Sequence, residues 1–244
     1  MRLARVYLDS PLALNAVISL PKEIAHYLNN VLRLSANDEL LVFNSEQGEF
    51  RARVSSVAKR AVDIELLEKK RGALDPANQA SLSIHLALGL SRGDRMDFAV
   101  QKSTELGVSE ITPIYTEYGE VRLKAERVEK KLQHWQKIAI SACEQSGRLD
   151  VPVIHRPIAL MELSLIENLN KWMLEPSGAD VLPLSLAENN IMLLIGPEGG
   201  FSAKEIDWAQ CSDFRVVALG SRILRTETAP VAALAILQNK YGDM

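Results

Sequence analysis

The sequence predicts an α/β protein in two parts, a small β-rich segment over residues 1–72 and a parallel-sheet domain over residues 73–244. Three observations support this prediction. Short runs with period-two alternation of apolar residues fill the first part. In the second part, apolar strand-like runs alternate with helical patterns, which is typical of a largely parallel sheet covered on both faces. Two late runs end in glycine-marked loops that open a helix, where open α/β sheets bind ligands.

The first part is predicted to form a compact β-barrel with one helix. Its predicted elements are a helix over 22–32, with Ile24, Leu28, Val31 and Leu32 on its buried face, and strands over 39–43, 50–54 and 61–67. Gln47 and Gly48 form the first hairpin turn, and residues 58–60 connect the next pair of strands. A polar linker over 71–76 then leads into the second part.

The second part alternates strand and helix. Strands are predicted over 83–89, 108–115, 151–154, 171–174, 191–195 and 214–219, and helices over 94–106 and 124–146. Gly107 and Gly147 close these two helices, because glycine adopts the left-handed conformation that commonly ends a helix.

The first glycine-marked loop reads GPEGG over residues 196–200. Pro197 fixes its own φ and removes a backbone donor, while the two glycines that follow let a flat ligand approach the main chain. The next residues, SAKE over 202–205, form a capping box. A helix that caps itself is a poorer phosphate site, so the loop favours a ligand other than a nucleoside triphosphate.

The second loop reads GSRILRTET over residues 220–228 and lacks both the P-loop and the dinucleotide-binding glycine patterns, as the first loop does. A threonine cap with Pro230 in the first turn predicts a helix start. The helix that follows is apolar all round over 231–237, which predicts burial against the site. Arg222 and Arg225 at the mouth of such a site suit an anionic or carbonyl-rich substrate; surface arginines flanking a turn are the alternative.

These motifs resemble a known family. The matching segments are LLIGPEGGFS at 193–202, ALGSRILRTETA at 218–229, LSRGD at 90–94, QKSTELGV at 101–108, WQKIAISACEQSGR at 135–148 and VLRL at 31–34. In this order and spacing they resemble the ribosomal small subunit methyltransferase E family, of the SPOUT class of S-adenosylmethionine-dependent RNA methyltransferases. Asn37, at a usual glycine position, and Tyr118, at a usual arginine position, depart from the family pattern.

The resemblance implies a PUA-like RNA-binding barrel, a SPOUT domain with a C-terminal trefoil knot, and a cytoplasmic homodimer with cofactor pockets at the subunit interface. It also implies methylation of N3 of a uridine in the decoding region of 16S rRNA, on the assembled 30S subunit. The implied S-adenosyl-L-methionine pocket comprises Leu174, Glu175, Gly196, Pro197, Glu198, Gly199, Leu219, Gly220, Ile223, Leu224 and Thr226, with Pro176 completing one wall.

The reaction needs a group that stabilises negative charge on the uracil carbonyls and a group that takes the N3 proton. We assign the first role to Arg225 and the second to Glu227 or Glu198. Glu198 alternatively pairs with a cofactor hydroxyl, and either glutamate alternatively complements a helix dipole.

Charge gives only local support for RNA binding. The net charge is −3, with 11 basic and 9 acidic residues over 1–72 against 17 and 22 in the remainder. RNA affinity must therefore come from patches. The candidate RNA contacts are Arg2, Arg5, Arg33, Arg51, Arg53, Arg92 and Lys102, and for each of them ordinary surface placement is the alternative.

Other patterns exclude several classes of protein. There is no apolar run long enough for a membrane span and no signal-peptide core. Cys143 and Cys211 lack C-x-x-C spacing and are interpreted as reduced thiols, and the four histidines share no ligand spacing, so no metal site is predicted. Two rival hypotheses remain, a Rossmann-like small-molecule enzyme and a noncatalytic RNA-binding factor. Protection of the protein by nucleoside triphosphates but not by S-adenosylmethionine would favour the first, and the affinity for the cofactor would decide the second.

Overall fold

The computed structural model describes residues 3–58, 61–73, 75, 82–165, 170–180, 182, 186 and 188–244. The chain forms two compact units. The first contains residues 1–79 together with 143–151, and the second contains residues 80–142 and 152–244. The predicted boundary after residue 72 does not account for residues 143–151, which pack with the first unit.

The first unit is built on a five-stranded sheet of order β1-β3-β4-β5-β2. Its strands are β1 (Ala4–Tyr7), β2 (Val17–Ser19), β3 (Glu39–Asn44), β4 (Gly48–Ala58) and β5 (Ala61–Arg71). β1 pairs with β3 in parallel, and the other pairs are antiparallel. The β4–β5 pair shifts register at three places, and such bulges bend a strand and increase its twist. The apolar face, which includes Leu40, Val42, Val54 and Ile64, is fully buried.

The helix predicted over 22–32 is present in a modified form. It consists of α1 (Lys22–His26) and a π-helical turn over Tyr27–Val31. Leu28 is buried as predicted, but Val31 and Leu32 are 62% and 37% exposed, so their predicted burial is wrong. A π-helical turn contains more residues than an α-helical turn, so side chains chosen by the 3.6-residue period no longer lie on one face. Asn37, at the usual glycine position, has a φ of +75°, a left-handed geometry that asparagine tolerates.

Residues 143–151 complete an apolar cluster of the first unit. Cys143 and Leu149 are buried against Phe43, whose ring makes an edge contact with Tyr7. Burial raises the pKa of the Cys143 thiol to about 11, so this cysteine stays protonated at neutral pH. Cys211 is free and exposed.

The second unit contains a parallel sheet of order β12-β10-β11-β6-β7-β8, with β9 also paired to β7. Its strands are β6 (Ser83–Gly89), β7 (Glu110–Tyr115), β8 (Val153–Ile154), β9 (Ile158–Ala159), β10 (Asn170–Leu174), β11 (Asn190–Ile195) and β12 (Arg215–Val217). Every pair in this sheet is parallel, as the alternation of strand and helix predicted.

Helices connect these strands. They are α2 (Asp94–Glu105), α3 (Ala125–Ser146), a 3-10 helix over Leu160–Leu165, α4 (Ala203–Cys211) and α5 (Thr228–Tyr241). Gly107 and Gly147 follow α2 and α3 with φ of +87° and +90°, which confirms both predicted helix stops. Among the described residues, none of the helices has the length and apolarity needed to cross a bilayer.

α5 differs from its prediction in two ways. The helix begins at Thr228, and its N-cap, Glu227, makes no side-chain cap hydrogen bond, so the predicted threonine cap is wrong. Pro230 does lie in the first turn. Leu234 and Leu237 are buried, but Ile236 is 43% exposed, so the helix is not buried on every side despite its apolar sequence.

Candidate cofactor and catalytic site

Three loops meet at one edge of the parallel sheet. They follow β10, β11 and β12, which lie side by side with β10 in the centre. In the register of the sheet, Leu174 at the end of β10 is the partner of both Ile195 and Val217, the last residues of the two flanking strands. Because the carboxyl ends of parallel strands share one edge, these loops form the crevice where such sheets bind ligands.

A cavity of about 460 Å³ lies between these loops. Ten of the eleven residues predicted to bind the cofactor line it, namely Leu174, Glu175, Gly196, Pro197, Glu198, Leu219, Gly220, Ile223, Leu224 and Thr226. Pro176 and the three predicted catalytic residues, Arg225, Glu227 and Glu198, line it as well. Cavities of this size accommodate small-molecule ligands and cofactors.

Gly199 is the predicted pocket residue that does not line the cavity. A Cβ at this position would lie 2.7 Å from the carbonyl oxygen of Tyr118, so the glycine is required for close packing of two loops. A similar constraint acts at Gly89, the last residue of β6, where a Cβ would lie 2.3 Å from the backbone nitrogen of Pro197. Both glycines hold the first loop against its surroundings.

The first loop is also fixed by the start of α4. Ser202 Oγ accepts a hydrogen bond from the Glu205 N–H at 3.3 Å, and the Ser202 N–H donates to Glu205 Oε2 at 2.8 Å. This reciprocal pair confirms the predicted capping box. The other oxygen, Glu205 Oε1, accepts from the backbone N–H of Glu117 at 2.7 Å, which ties the loop after β7 to the same point.

Glu198 forms an ion pair that the sequence analysis missed. Arg95 of α2 lines the cavity, and its Nη1 donates to Glu198 Oε1 at 2.8 Å. Burial alone would raise the pKa of Glu198, but hydrogen bonds from its own backbone N–H, from Arg95 and from the Arg92 backbone lower it overall. Glu198 is therefore ionised and a weak base. Arg95 directly follows the LSRGD segment, and no feature of the sequence predicts that it reaches the first loop.

Arg225 and Glu227 lie in the second loop with contrasting exposure. The Arg225 side chain is 81% exposed and the Glu227 side chain 18%, with Arg225 Nη1 3.9 Å from Glu227 Oε1. Glu227 Oε2 is buried and has no hydrogen-bond partner among the described residues. A buried carboxylate oxygen without a partner is costly, so it is the atom of this site most in need of a ligand.

Arg5 does not form the phosphate contact predicted for it. Its side chain is only 7% exposed, and its guanidinium donates to Glu49 at 2.5 Å, to the Arg148 carbonyl at 2.7 Å and to the Cys143 carbonyl. The prediction is wrong at this position because all of these acceptors come from distant parts of the sequence and bury the charge. Arg2 lies outside the described residues.

The remaining predicted RNA contacts are solvent-accessible to different degrees, and most are paired. Arg53 binds Glu65 at 2.8 Å, Arg92 binds Glu120 at 2.8 Å, and Lys102 binds Glu105 at 2.8 Å. Arg51 lies between Glu39 and Glu68 at 3.7 and 3.3 Å. Arg33 is exposed and has a φ of +55°. Exposed ion pairs exchange partners at little cost, so these side chains remain candidates.

Comparison with known proteins identifies both parts of the chain. A family model described as an RNA methyltransferase domain matches residues 78–238, and one described as an RNA methyltransferase PUA domain matches residues 20–67. The ribosomal RNA small subunit methyltransferase E of Buchnera aphidicola subsp. Schizaphis graminum is 38% identical over 100% of this chain and 98% of its own length. The protein of that name from Rickettsia conorii is 31% identical over 96% of this chain and 95% of its own.

A solved structure gives the same result. The ribosomal RNA small subunit methyltransferase E of Neisseria gonorrhoeae, crystallised with S-adenosyl methionine, matches with a TM-score of 0.91 and 36% identity over 100% of both chains. The parallel sheet, its cavity and the two matched domains define an RNA methyltransferase with a PUA domain. Within that class, the chain belongs to the ribosomal RNA small subunit methyltransferase E family. The sequence resemblance and the PUA-like and parallel-sheet architecture are confirmed, while the trefoil knot stays a prediction.

Proposed function

We propose that this chain transfers the methyl group of S-adenosyl-L-methionine to N3 of a uridine in 16S rRNA, on the assembled small ribosomal subunit in the cytoplasm. The observation that carries the proposal is the single cavity built by the loops after β10, β11 and β12. Ten of the eleven predicted cofactor residues line it together with Arg225 and Glu227, in a chain of the small subunit methyltransferase E family.

The cavity fits S-adenosyl-L-methionine in size and in lining. Leu174, Leu219 and Leu224 provide apolar contact for an adenine ring, and the glycine-rich loops let it approach the backbone. Glu198, held ionised by Arg95, is a suitable acceptor for a ribose hydroxyl. When bound, the sulfonium supplies an electrophilic methyl group, so the chemistry requires neither a metal nor a covalent enzyme intermediate.

Arg225 is placed to stabilise the uracil during attack. Loss of the N3 proton leaves negative charge on the two flanking carbonyl oxygens, and a guanidinium can donate a charge-assisted hydrogen bond to one of them while N3 stays open to the methyl group. The exposure of Arg225 at the cavity mouth leaves its donors available to a base that enters from outside. The loops then hold N3 in line with the methyl group and exclude water.

Glu227 is our choice for the group that accepts the N3 proton. Its Oε2 is buried at the cavity and has no partner in the described part of the chain. Glu198 is less suited to this role, because its hydrogen bonds lower its own pKa. Proton transfer to Glu227 while the methyl group moves to N3 leaves a neutral 3-methyluridine and a protonated carboxyl group.

We further propose that the active form is a homodimer. Ile223 beside the cavity is 84% exposed, and Phe98 of α2 and Ile236 of α5 are 44% and 43% exposed. Large apolar side chains exposed in the second unit suit an interface between copies of the chain. Size-exclusion chromatography with light scattering measures the mass directly, and a monomer at assay concentration would contradict this part of the proposal.

The test of the function is a methyl-transfer assay with two RNA substrates. The full chain is incubated with radiolabelled S-adenosyl-L-methionine and either 30S subunits or deproteinised 16S rRNA from a strain lacking this methylation. Incorporation into 30S subunits and little into naked rRNA is expected. Cofactor binding measured by calorimetry without incorporation into either substrate would assign the protein another RNA, and absence of both would leave a noncatalytic role.

A further inference from the structure

Three metal-ligating side chains meet at the end of the sheet where β7 begins. His85 of β6 and Glu110, the first residue of β7, are register partners. β8 pairs with the other edge of β7, where Val153 is the register partner of Glu110. His155 directly follows β8. Aligned residues on neighbouring parallel strands point to the same face. The spacing of the histidines predicts no metal site, since these residues come together only through strand pairing.

The three side chains are close enough to share an ion. His155 Nε2 lies 2.6 Å from Glu110 Oε2, and His85 Nδ1 lies 4.0 Å from the same oxygen. One ligand atom from each residue falls within 4.8 Å of the others. Around a tetrahedral zinc ion with bonds of 2.0–2.1 Å, neighbouring ligand atoms lie about 3.3 Å apart. The distances of 2.6 and 4.0 Å from Glu110 Oε2 to the two imidazole nitrogens are shorter and longer than this value.

The surroundings orient the two imidazoles. His85 Nε2 is 2.7 Å from Thr112 Oγ1, which leaves Nδ1 on the side that faces Glu110. His155 is fixed through its backbone, whose N–H donates to the Ile111 carbonyl at 2.9 Å. A hydrogen bond from the ring nitrogen that does not bind metal is the usual support of a metal-binding histidine.

We propose that His85, Glu110 and His155 form a binding site for a divalent transition-metal ion, with Zn²⁺ as the preferred ion. Two imidazole nitrogens and one carboxylate oxygen are a donor set that suits zinc, whereas Mg²⁺ and Ca²⁺ favour oxygen ligands alone. Glu110 and His155 are 42% and 41% exposed, so solvent can reach the site and supply the fourth ligand.

The site lies at the opposite ends of the strands from the cofactor cavity and is independent of the proposed methyl transfer. β8 has only two residues, Val153 and Ile154, so few backbone hydrogen bonds hold it to the sheet. An ion shared by His85, Glu110 and His155 would link β6, β7 and the segment after β8. Its role is therefore the stability of this sheet edge.

The test measures Zn²⁺ bound per chain in the full-length protein, without a histidine tag. All proteins carry Cys211→Ser, because the exposed thiol of Cys211 is a competing ligand. The variants are His155→Gln and Glu110→Gln, and the matched control is His134→Gln. His134 is also half-exposed and also pairs with a carboxylate, Asp97, at 2.7 Å. Metal-stripped protein is dialysed against Zn²⁺, or against Mg²⁺ as a negative probe, and analysed by mass spectrometry of the metal.

The parent and His134→Gln should bind about one Zn²⁺ per chain and melt at higher temperature with Zn²⁺ than without it. His155→Gln and Glu110→Gln should each bind at least tenfold more weakly and lose the melting shift. Equal Zn²⁺ content in all four proteins, or none in the parent, overturns the proposal. Circular dichroism establishes folding, and the isosteric Glu110→Gln decides the outcome if His155→Gln is unstable.

Discussion

Arg95 and Glu198 form an ion pair at the wall of the cofactor cavity, with 2.8 Å between Nη1 and Oε1. The arginine comes from α2 and the glutamate from the loop after β11. Together with hydrogen bonds from the Glu198 backbone N–H and the Arg92 backbone, this pair lowers the pKa of Glu198. The lowered pKa supports our proposal that Glu198 accepts a cofactor hydroxyl and does not take the N3 proton.

Arg95→Ala should weaken binding of S-adenosyl-L-methionine by about tenfold, which corresponds to 1.4 kcal/mol, and should change kcat little. The reason is that Glu198 loses the side chain that orients it. Calorimetric titration measures the effect. Arg92→Ala is the matched control, because its side chain pairs with Glu120 instead and its backbone contact to Glu198 is retained. Equal losses in both variants would contradict the assigned role.

Arg225→Ala should lower kcat by about 10²-fold, since one donor to a developing anion typically contributes this much. Cofactor affinity should stay nearly constant, because the guanidinium faces the RNA base in our account. Single-turnover methylation of 30S subunits gives the rate, and calorimetry gives the affinity. Arg222→Ala, which removes a second arginine of the same loop, should have a much smaller effect on kcat. Near-normal turnover by Arg225→Ala would refute the assignment.

Glu227→Gln should lower kcat by about 10²-fold or more, because the amide keeps the size of the side chain but cannot accept the N3 proton. The rate of this variant should also increase more steeply with pH than that of the parent, because hydroxide replaces the missing base. Glu198→Gln should instead weaken cofactor binding with a smaller change in kcat. A pH–rate profile of each variant distinguishes the two glutamates. The reverse pattern would make Glu198 the base.

Glu49→Gln should destabilise the first unit at pH 7 by about 3–5 kcal/mol, the usual cost of removing one partner from a buried ion pair. Glu49 Oε1 accepts from Arg5 at 2.5 Å and from Arg71 at 2.8 Å, and its side chain is 7% exposed. Burial alone would raise the pKa of Glu49, but hydrogen bonds from Arg71 and Arg5 lower it below 4.5.

The sign of the pH dependence follows from that lowered pKa. The Glu49 contribution is complete above the unfolded-state pKa near 4.5 and is lost as pH falls through the lower folded-state value. The stability difference between the parent and Glu49→Gln should therefore be constant above pH 6 and shrink below pH 4.5. Calorimetric melting across this range measures it. A difference that grows on acidification would be incompatible with the Arg5–Glu49–Arg71 network.

Sequence reasoning worked where the cause of a structure is local. The capping box of Ser202 and Glu205 spans one helical turn, and the glycine after α2 ends that helix through its own φ. The pocket loops were predictable for the same reason, because each follows a strand with a clear apolar pattern. The π turn after α1 shows the limit, since no residue type in that segment signals a wider winding.

Pairings between distant residues were out of reach. From the sequence, Arg5 is interpreted as a surface charge. In the fold, Glu49 of β4, the Cys143 carbonyl of α3 and the Arg148 carbonyl after α3 surround it. Arg95 likewise has no sequence feature that predicts its contact with Glu198. The metal-ligating cluster of His85, Glu110 and His155 depends on the order of three strands, which neither periodicity nor spacing determines.

The most direct test of the account is to identify the nucleoside that the enzyme makes. 30S subunits from a strain lacking this methylation are incubated with the chain and S-adenosyl-L-methionine, and the 16S rRNA is digested and separated by liquid chromatography with mass spectrometry. Standards resolve 3-methyluridine from 5-methyluridine and 2′-O-methyluridine, which have equal mass. We expect 3-methyluridine, formed about 10²-fold more slowly with Arg225→Ala. Either isomer in its place would contradict the assignment of Arg225 and Glu227 to attack at N3.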